Sequence, residues 1–217
     1  MKRNVVKAII AGTAIAVQCV AIGWLVWRYE SIVRFGKEVR FRCEAYDPYD
    51  PLRGRYLRVR VRATCTNLLE RVDGKSWEDT RNAQIFAKLE PATNGLWRVS
   101  AVADSLPADG GLWIKSGNAT LEHSVSWSEK RTNETNEAFL SRRAKSPFVV
   151  RVPMPDQLFV NERLAPMAEE VLDKANSAKG KGAVAVYRVR GSDIVITDIE
   201  IDGKSVTALA REIPALR

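Results

Sequence analysis

The sequence predicts a mainly β fold with a minor α+β character: an N-terminal transmembrane helix, then one β-sandwich or barrel-like domain with one short helix. Three observations lead there. One uncharged apolar run lies near the N-terminus, short stretches of period-2 alternation recur after it, and glycine-bearing turn signals separate those stretches. Of 217 residues, 46% are hydrophobic and 28% charged, and the part beyond the apolar run has the size of one compact domain.

Residues 1–7 are basic, with Lys2, Arg3 and Lys7. Residues 8–27 carry no charge, have Gln18 as their only strongly polar member, and are long enough to cross a bilayer as a helix. Trp24, Trp27 and Tyr29 cluster at the far end, as interfacial aromatics do. The basic N-terminus argues for cytoplasm on its side and export of the rest, although Arg28, Arg34, Lys37 and Arg40 follow closely. A cleaved signal peptide is the alternative, but the run is long for one and ends without a small-x-small site. Gln18 before Cys19 does not suit lipidation. The expected protein is single-pass in the inner (cytoplasmic) membrane, with residues 28–37 as a linker and 38–217 as an extracytoplasmic β-rich domain.

Residues 39–43 alternate apolar and charged, the signature of a half-buried strand. Residues 47–54 form a proline-punctuated acidic loop. Residues 55–64 alternate again, with Leu57, Val59, Val61 and Ala63 on one face and Tyr56, Arg58, Arg60 and Arg62 on the other. Residues 83–89 and 96–103 flank Asn94-Gly95, a hairpin turn signal. Residues 112–115, 121–127 and 148–152 are shorter strand candidates. The polar stretch 128–146 reads as an exposed loop with a helical turn near 137–142. Residues 166–176 are the one convincing helix, with Pro166 suited to its first turn. A last hairpin, 183–190 and 194–201, turns at Gly191-Ser192-Asp193, and Asp202-Gly203-Lys204 makes a further tight turn.

A net charge of +8 and a pI near 9.6 raise the question of nucleic acid or anionic lipid. The aromatics are not interleaved with basic residues on one stacking face, and no zinc, helix-turn-helix or RNP pattern occurs, so no nucleic-acid partner is expected. Gly110-Gly111 and Gly180-Lys181-Gly182 lack the strand–loop–helix context of a phosphate loop. No cofactor or metal is expected either. If strands 39–43 and 57–65 pair as a hairpin, Cys43 faces the start of the second strand and Cys65 lies far from it, so two buried free thiols are expected rather than a bridge.

The sharpest sequence feature is a set of arginines. Arg40 and Arg42 share one strand face, Arg58, Arg60 and Arg62 the next, and a hairpin would pool all five on one side of the sheet. Like charges opposite one another destabilise a sheet, so negative groups belong nearby. Those are anionic lipid headgroups, an acidic envelope partner, or, as ordinary solvated strand faces favour, internal carboxylates such as Asp198, Glu200 and Asp202. Asp47 and Asp50 each precede a proline and read as turn initiators before they read as an acid/base pair. His123 alternates with Leu121, Val125 and Trp127 and reads as a packed histidine. Ser31 with Lys75 or Lys115 could formally make a Ser/Lys centre, but nothing around Ser31 resembles a nucleophile turn.

Asp47, Pro48, Asp50, Pro51, Leu52, Arg53, Gly54 and Tyr56 together resemble the loop of the GDYXXLXY-motif family, membrane-anchored bacterial proteins in which an acidic, proline-containing loop enters a strand. Residues 29–39, 89–102, 158–162 and 198–204 are similar to the family as well. Arg55 stands where the motif has aspartate, and Val59 and Val61 where it has leucine and tyrosine. The resemblance implies an anchor and an extracytoplasmic domain; it implies no reaction, cofactor or partner. The expected role is therefore a binding or assembly module of the cell envelope, with the loop 47–56 beside the arginine face as its surface. A membrane-anchored hydrolase with a serine or carboxylate centre is the alternative, and it requires a pocket uniting Asp47 or Asp50 with His123 or a lysine.

Overall fold

The computed structural model describes residues 2–45, 56–61, 63–70, 72, 77, 84–92, 94–117, 119–123, 134–146, 148–177 and 182–213. Helix α1 (Lys2–Phe35) is 34 residues long, roughly 50 Å. That exceeds the ~30 Å hydrocarbon core of a bilayer, and the surplus belongs to the domain. Gly36 ends the helix, its N–H donating to the Ile32 carbonyl at 2.8 Å. Strand β1 (Lys37–Ala45) begins at the next residue. The stretch expected as a linker is thus two further helical turns and the first residue of a strand.

A strand-rich domain follows: β2 (Tyr56–Val61), β3 (Thr64–Cys65), β4 (Ile85–Pro91), β5 (Trp97–Ala103), β6 (Leu112–Ser116) and β7 (Thr120–His123). Then come α2 (Asn136–Ala144), β8 (Phe148–Arg151), β9 (Gln157–Phe159), α3 (Ala165–Ser177), β10 (Ala183–Arg190), β11 (Asp193–Ile201), β12 (Lys204–Ser205) and α4 (Val206–Glu212). The largest sheet is six-stranded, in the order β12-β11-β10-β1-β2-β9, and two three-stranded sheets run β3-β8-β7 and β5-β4-β6. Every pairing between these strands is antiparallel. One core joins them: Val39 and Phe41 from β1, Leu57 and Val59 from β2, Ile85 and Leu89 from β4, Ile114 from β6, Tyr187 from β10. Leu172 of α3 and Val206 and Ala210 of α4 close the same core.

The mainly β expectation holds, and the hairpins turn where their glycines stand. Gly95 has φ 75°, and Asp202 and Gly203 have φ 52° and 78°. Ile201 pairs with Lys204 across those last two residues, so both central positions of a two-residue turn have positive φ, the type I′ pattern. Three helices follow α1 among the described residues, not one. The turn near 137–142 is the nine-residue α2, and α4 adds seven residues. Ser205 caps α4 by accepting the Thr207 N–H at 3.3 Å, an N-cap that satisfies an otherwise orphan donor.

One irregularity decides which residues of β11 face inward. Val186 pairs with Asp198 and Tyr187 with Ile196, so Thr197 is extra. This β-bulge shifts parity, which lets Ile196 and Ile199 both be buried although they are three apart. Thr197 Oγ1 donates to the Val186 carbonyl at 3.2 Å and occupies the gap.

A Cβ on Gly36 would collide with the Ile32 carbonyl oxygen and sit 3.1 Å from the Val189 nitrogen. Both are backbone, which cannot swing aside. Gly36→Ala is expected to destabilise the protein by about 1–3 kcal/mol, the usual cost of overpacking. Thermal unfolding of the detergent-solubilised chain checks this as a melting temperature several degrees below wild type.

Candidate functional site at the helix–domain junction

The last turns of α1 lie against β10 and β11. Arg28, just past the apolar run, meets Asp193, the residue that opens β11 after the Gly191-Ser192 turn. Its Nη2 donates to Asp193 Oδ1 and Oδ2, both at 2.7 Å, and its Nε donates to Oδ2 at 3.1 Å. Such a forked pair fixes direction more than it adds stability, since the two side chains remain 52% and 36% exposed. The stabilising part is burial: Ile32 is only 6% exposed and Ser31 8%. Ser31 Oγ donates to the Arg28 carbonyl at 2.7 Å, the Arg190 guanidinium lies 5.6 Å from the Phe35 ring centre, and Arg188 Nη1 donates to the Gly36 carbonyl at 3.2 Å.

The arginines fall on one face as the alternation predicts. Cys43 pairs with Val61 and Glu44 with Arg60, so Arg40, Arg42, Arg58 and Arg60 share the side opposite the core; Arg62 lies outside the described residues. The register differs from expectation, because Cys43 faces the end of β2 and not its start. Carboxylates offset much of the charge. Glu38 accepts from Arg40 and from Arg188, each at 2.9 Å. Glu200 lies 3.2 Å from Arg40, and Asp156 accepts from Arg58 Nε at 2.6 Å. Of the three acids the sequence nominates, Glu200 serves Arg40. Asp198 accepts from the Ser205 hydroxyl at 2.9 Å and from the Ile199 N–H at 2.8 Å, and Asp202 has left the strand for the turn. Glu38 was legible, two residues from Arg40 on the same face; Asp156 was not, because it comes from a distant loop.

Asp47, Pro48, Asp50, Pro51, Arg53 and Gly54 lie outside the described residues, as do Arg55 and Lys75. Tyr56 opens β2, 8% exposed, with its ring 6.1 Å from that of Phe159. Val59, in a position the family motif names, is 1% exposed in the core, so that part of the motif specifies packing. Ser31 spends its hydroxyl on a helix carbonyl, and His123 ends β7 opposite Phe148. No group of three His, Cys, Asp or Glu side chains suited to a metal ion occurs among the described residues. Cys43 and Cys65 are free and buried. Burial pushes the Cys43 thiol up to about 12 and raises that of Cys65, so neither is a thiolate near neutrality.

Two cavities stand out. One, of about 590 Å³, lies beside Cys65, Lys88, Arg98, Asp109 and Trp113. Here Asp109 is held down to about 2, first by the Lys88 ammonium at 2.8 Å, then by the Trp113 indole N–H at 2.6 Å and the Gly111 N–H at 3.0 Å. All three bonds serve to close the turn before β6. The other cavity, about 550 Å³, is the wedge between α1 and the domain. Four separate segments meet there, which is why no local motif announced it.

Because Asp109 is depressed below its ordinary 3.8, the stability it lends is complete above about pH 4 and is lost as pH falls toward 2. Trp113 emission followed through that window is expected to change in wild type, and Asp109→Asn is expected to flatten the change. For the thiols, the expected outcome is that maleimide labels Cys43 and Cys65 only after denaturation. A non-reducing gel of the oxidised protein is expected to show no internal bridge.

A family model described as GDYXXLXY protein matches residues 18–197. The match begins inside α1 and so includes the junction. Neither the curated proteins nor the solved structures contain a match to this chain.

Proposed function

The chain belongs to the GDYXXLXY protein family, and from that premise we propose that it is a single-pass inner-membrane protein whose extracytoplasmic β-rich domain is a binding or assembly module of the cell envelope. One observation carries this reading: α1 enters the domain with no flexible joint, and Arg28–Asp193 with buried Ile32 sets the angle. A tethered catalyst gains from a loose linker that lets it search. A module that presents one surface at a set height above the bilayer gains from a rigid one.

The span supports the anchor. Residues Ile9–Phe35 include an apolar window of mean hydropathy 2.1, none of it buried within the protein, and Trp24 and Trp27 are 59% and 58% exposed. An apolar surface of that extent calls for lipid. A signal sequence has the same composition, but this apolar run is long for one and ends without a small-x-small site. The ion pairing of Arg40 and Arg58 favours an envelope protein over lipid headgroups as the partner of that face.

The test is a flexible Gly-Ser insertion after Phe35, compared with wild type in co-purification from solubilised membranes. A reporter active only outside the cytoplasm is fused after Arg217. The expected result is an active reporter in both chains and an envelope partner that wild type retains and the insertion loses. An inactive reporter overturns the topology; equal recovery by both chains overturns the rigid-module reading.

A further inference from the structure

We propose that the wedge between α1 and the domain is a lipid site, taking one acyl chain of a membrane phospholipid with its phosphate at Lys115. This rests on the membrane-anchor reading of α1. The cavity is about 550 Å³, within the usual range for small-ligand sites. Its helix wall includes Leu25, Tyr29 and Ile32, and its domain wall includes Met154 and Ile194. Leu25 and Tyr29 are 61% and 51% exposed on the apolar helix, so the surface that lipid covers further down α1 continues without a break into the wedge. The level is that of the interfacial aromatics, where acyl chain gives way to headgroup.

One segment of the domain wall, Pro153 to Pro155, suits hydrocarbon. Pro153 and Pro155 have no N–H to satisfy. Their carbonyls are engaged: that of Pro153 accepts from the Ser116 hydroxyl at 2.7 Å and that of Pro155 from the Tyr187 hydroxyl at 2.8 Å. A polar ligand would find few free partners along this segment, whereas a hydrocarbon chain loses nothing there. Met154 between them is unbranched and adapts to irregular contacts. At the rim the two cations differ. Arg28 is committed to Asp193, while Lys115 is exposed and makes no ion pair among the described residues. One unpaired ammonium beside an apolar slot matches a phosphodiester whose tail lies in the slot.

The experiment uses the full chain in phosphatidylglycerol vesicles containing a phospholipid with a photoactivatable diazirine on one acyl chain. Adducts are mapped by mass spectrometry, and membrane retention is scored by alkaline extraction. The expected result is adducts on residues 153–155 and 192–195 as well as on α1. Met154→Trp, which fills the slot, removes the former and keeps the latter. Lys115→Ala, an exposed change that leaves the fold intact, lowers the domain adducts about fivefold. Adducts confined to α1 in a chain that resists extraction overturn the lipid site and leave the anchor standing. A cross-link to a second copy through the wedge overturns it in favour of self-association. Release by alkali overturns the anchor reading, and the site falls with it.

Discussion

The rest of the structure depends on Gly36. At this single residue a helix of 34 residues becomes a central strand of the largest sheet, and the backbones approach too closely for any side chain. Because β1 lies between β10 and β2, the direction in which the chain leaves the helix also sets the direction of the sheet. The β10–β11 turn is thereby brought to the helix flank, where Asp193 reaches Arg28. Had the helix stopped at Trp27 and a loose segment followed, neither the forked pair nor the wedge beside it would exist. The angle between α1 and the sheet follows from local backbone geometry.

Charge on the outer sheet face obeys a second constraint. Stacking Arg40, Arg42, Arg58 and Arg60 on one side of neighbouring strands is unfavourable unless acids stand among them. The fold supplies those acids from three places: the same strand (Glu38), the far strand (Glu200) and the loop before β9 (Asp156). Glu38 holds both Arg40 and Arg188, so the network runs across β10 as well. The internal carboxylates that an ordinary solvated strand face favours are thus present as an ion-pair lattice around Arg40, Arg58 and Arg188, although Glu38 and Asp156 supply most of it. Such lattices orient long side chains and contribute little to stability.

Much of this was legible in the residues, and the failures have physical causes. Period-2 alternation located β1, β2, β10 and β11, and Asn94-Gly95 and Asp202-Gly203 located the β4–β5 and β11–β12 turns, because strand parity and positive φ are local properties. The helical nature of 28–35 was masked by its charges: Arg28, Glu30 and Arg34 read as the end of a membrane span, when Arg28 faces the domain one turn before buried Ile32 and Glu30 pairs with Arg34 at i, i+4. The seven-residue α4 offers too short a window for helical periodicity to register. The parity argument nominated Asp198 together with Glu200, and both do lie on the arginine face, in register with Val186 and Val184, but Asp198 Oδ1 is taken by the Ser205 hydroxyl and the Ile199 N–H. Asp156 and the wedge could not be read at all, since both arise where segments remote in sequence meet.

The same logic separates the two cavities. Beside Trp113 the polar groups saturate one another: Lys88, the indole N–H and the Gly111 N–H all point to Asp109, and little bonding capacity is left for a ligand. At Pro153 and Pro155 of the junction wall the polar groups are likewise absent or spent, since the prolines lack donors and their carbonyls are taken, while Lys115 stands at the rim. The difference lies in what adjoins each cavity. The first is edged by Lys88, Glu90, Arg98 and Asp109, a charged rim that water covers at no cost. The second continues the exposed apolar surface of α1, where water is poorly held and hydrocarbon is the neighbouring phase. Satisfaction of polar groups marks the first as structure and makes the second a place for a lipid chain.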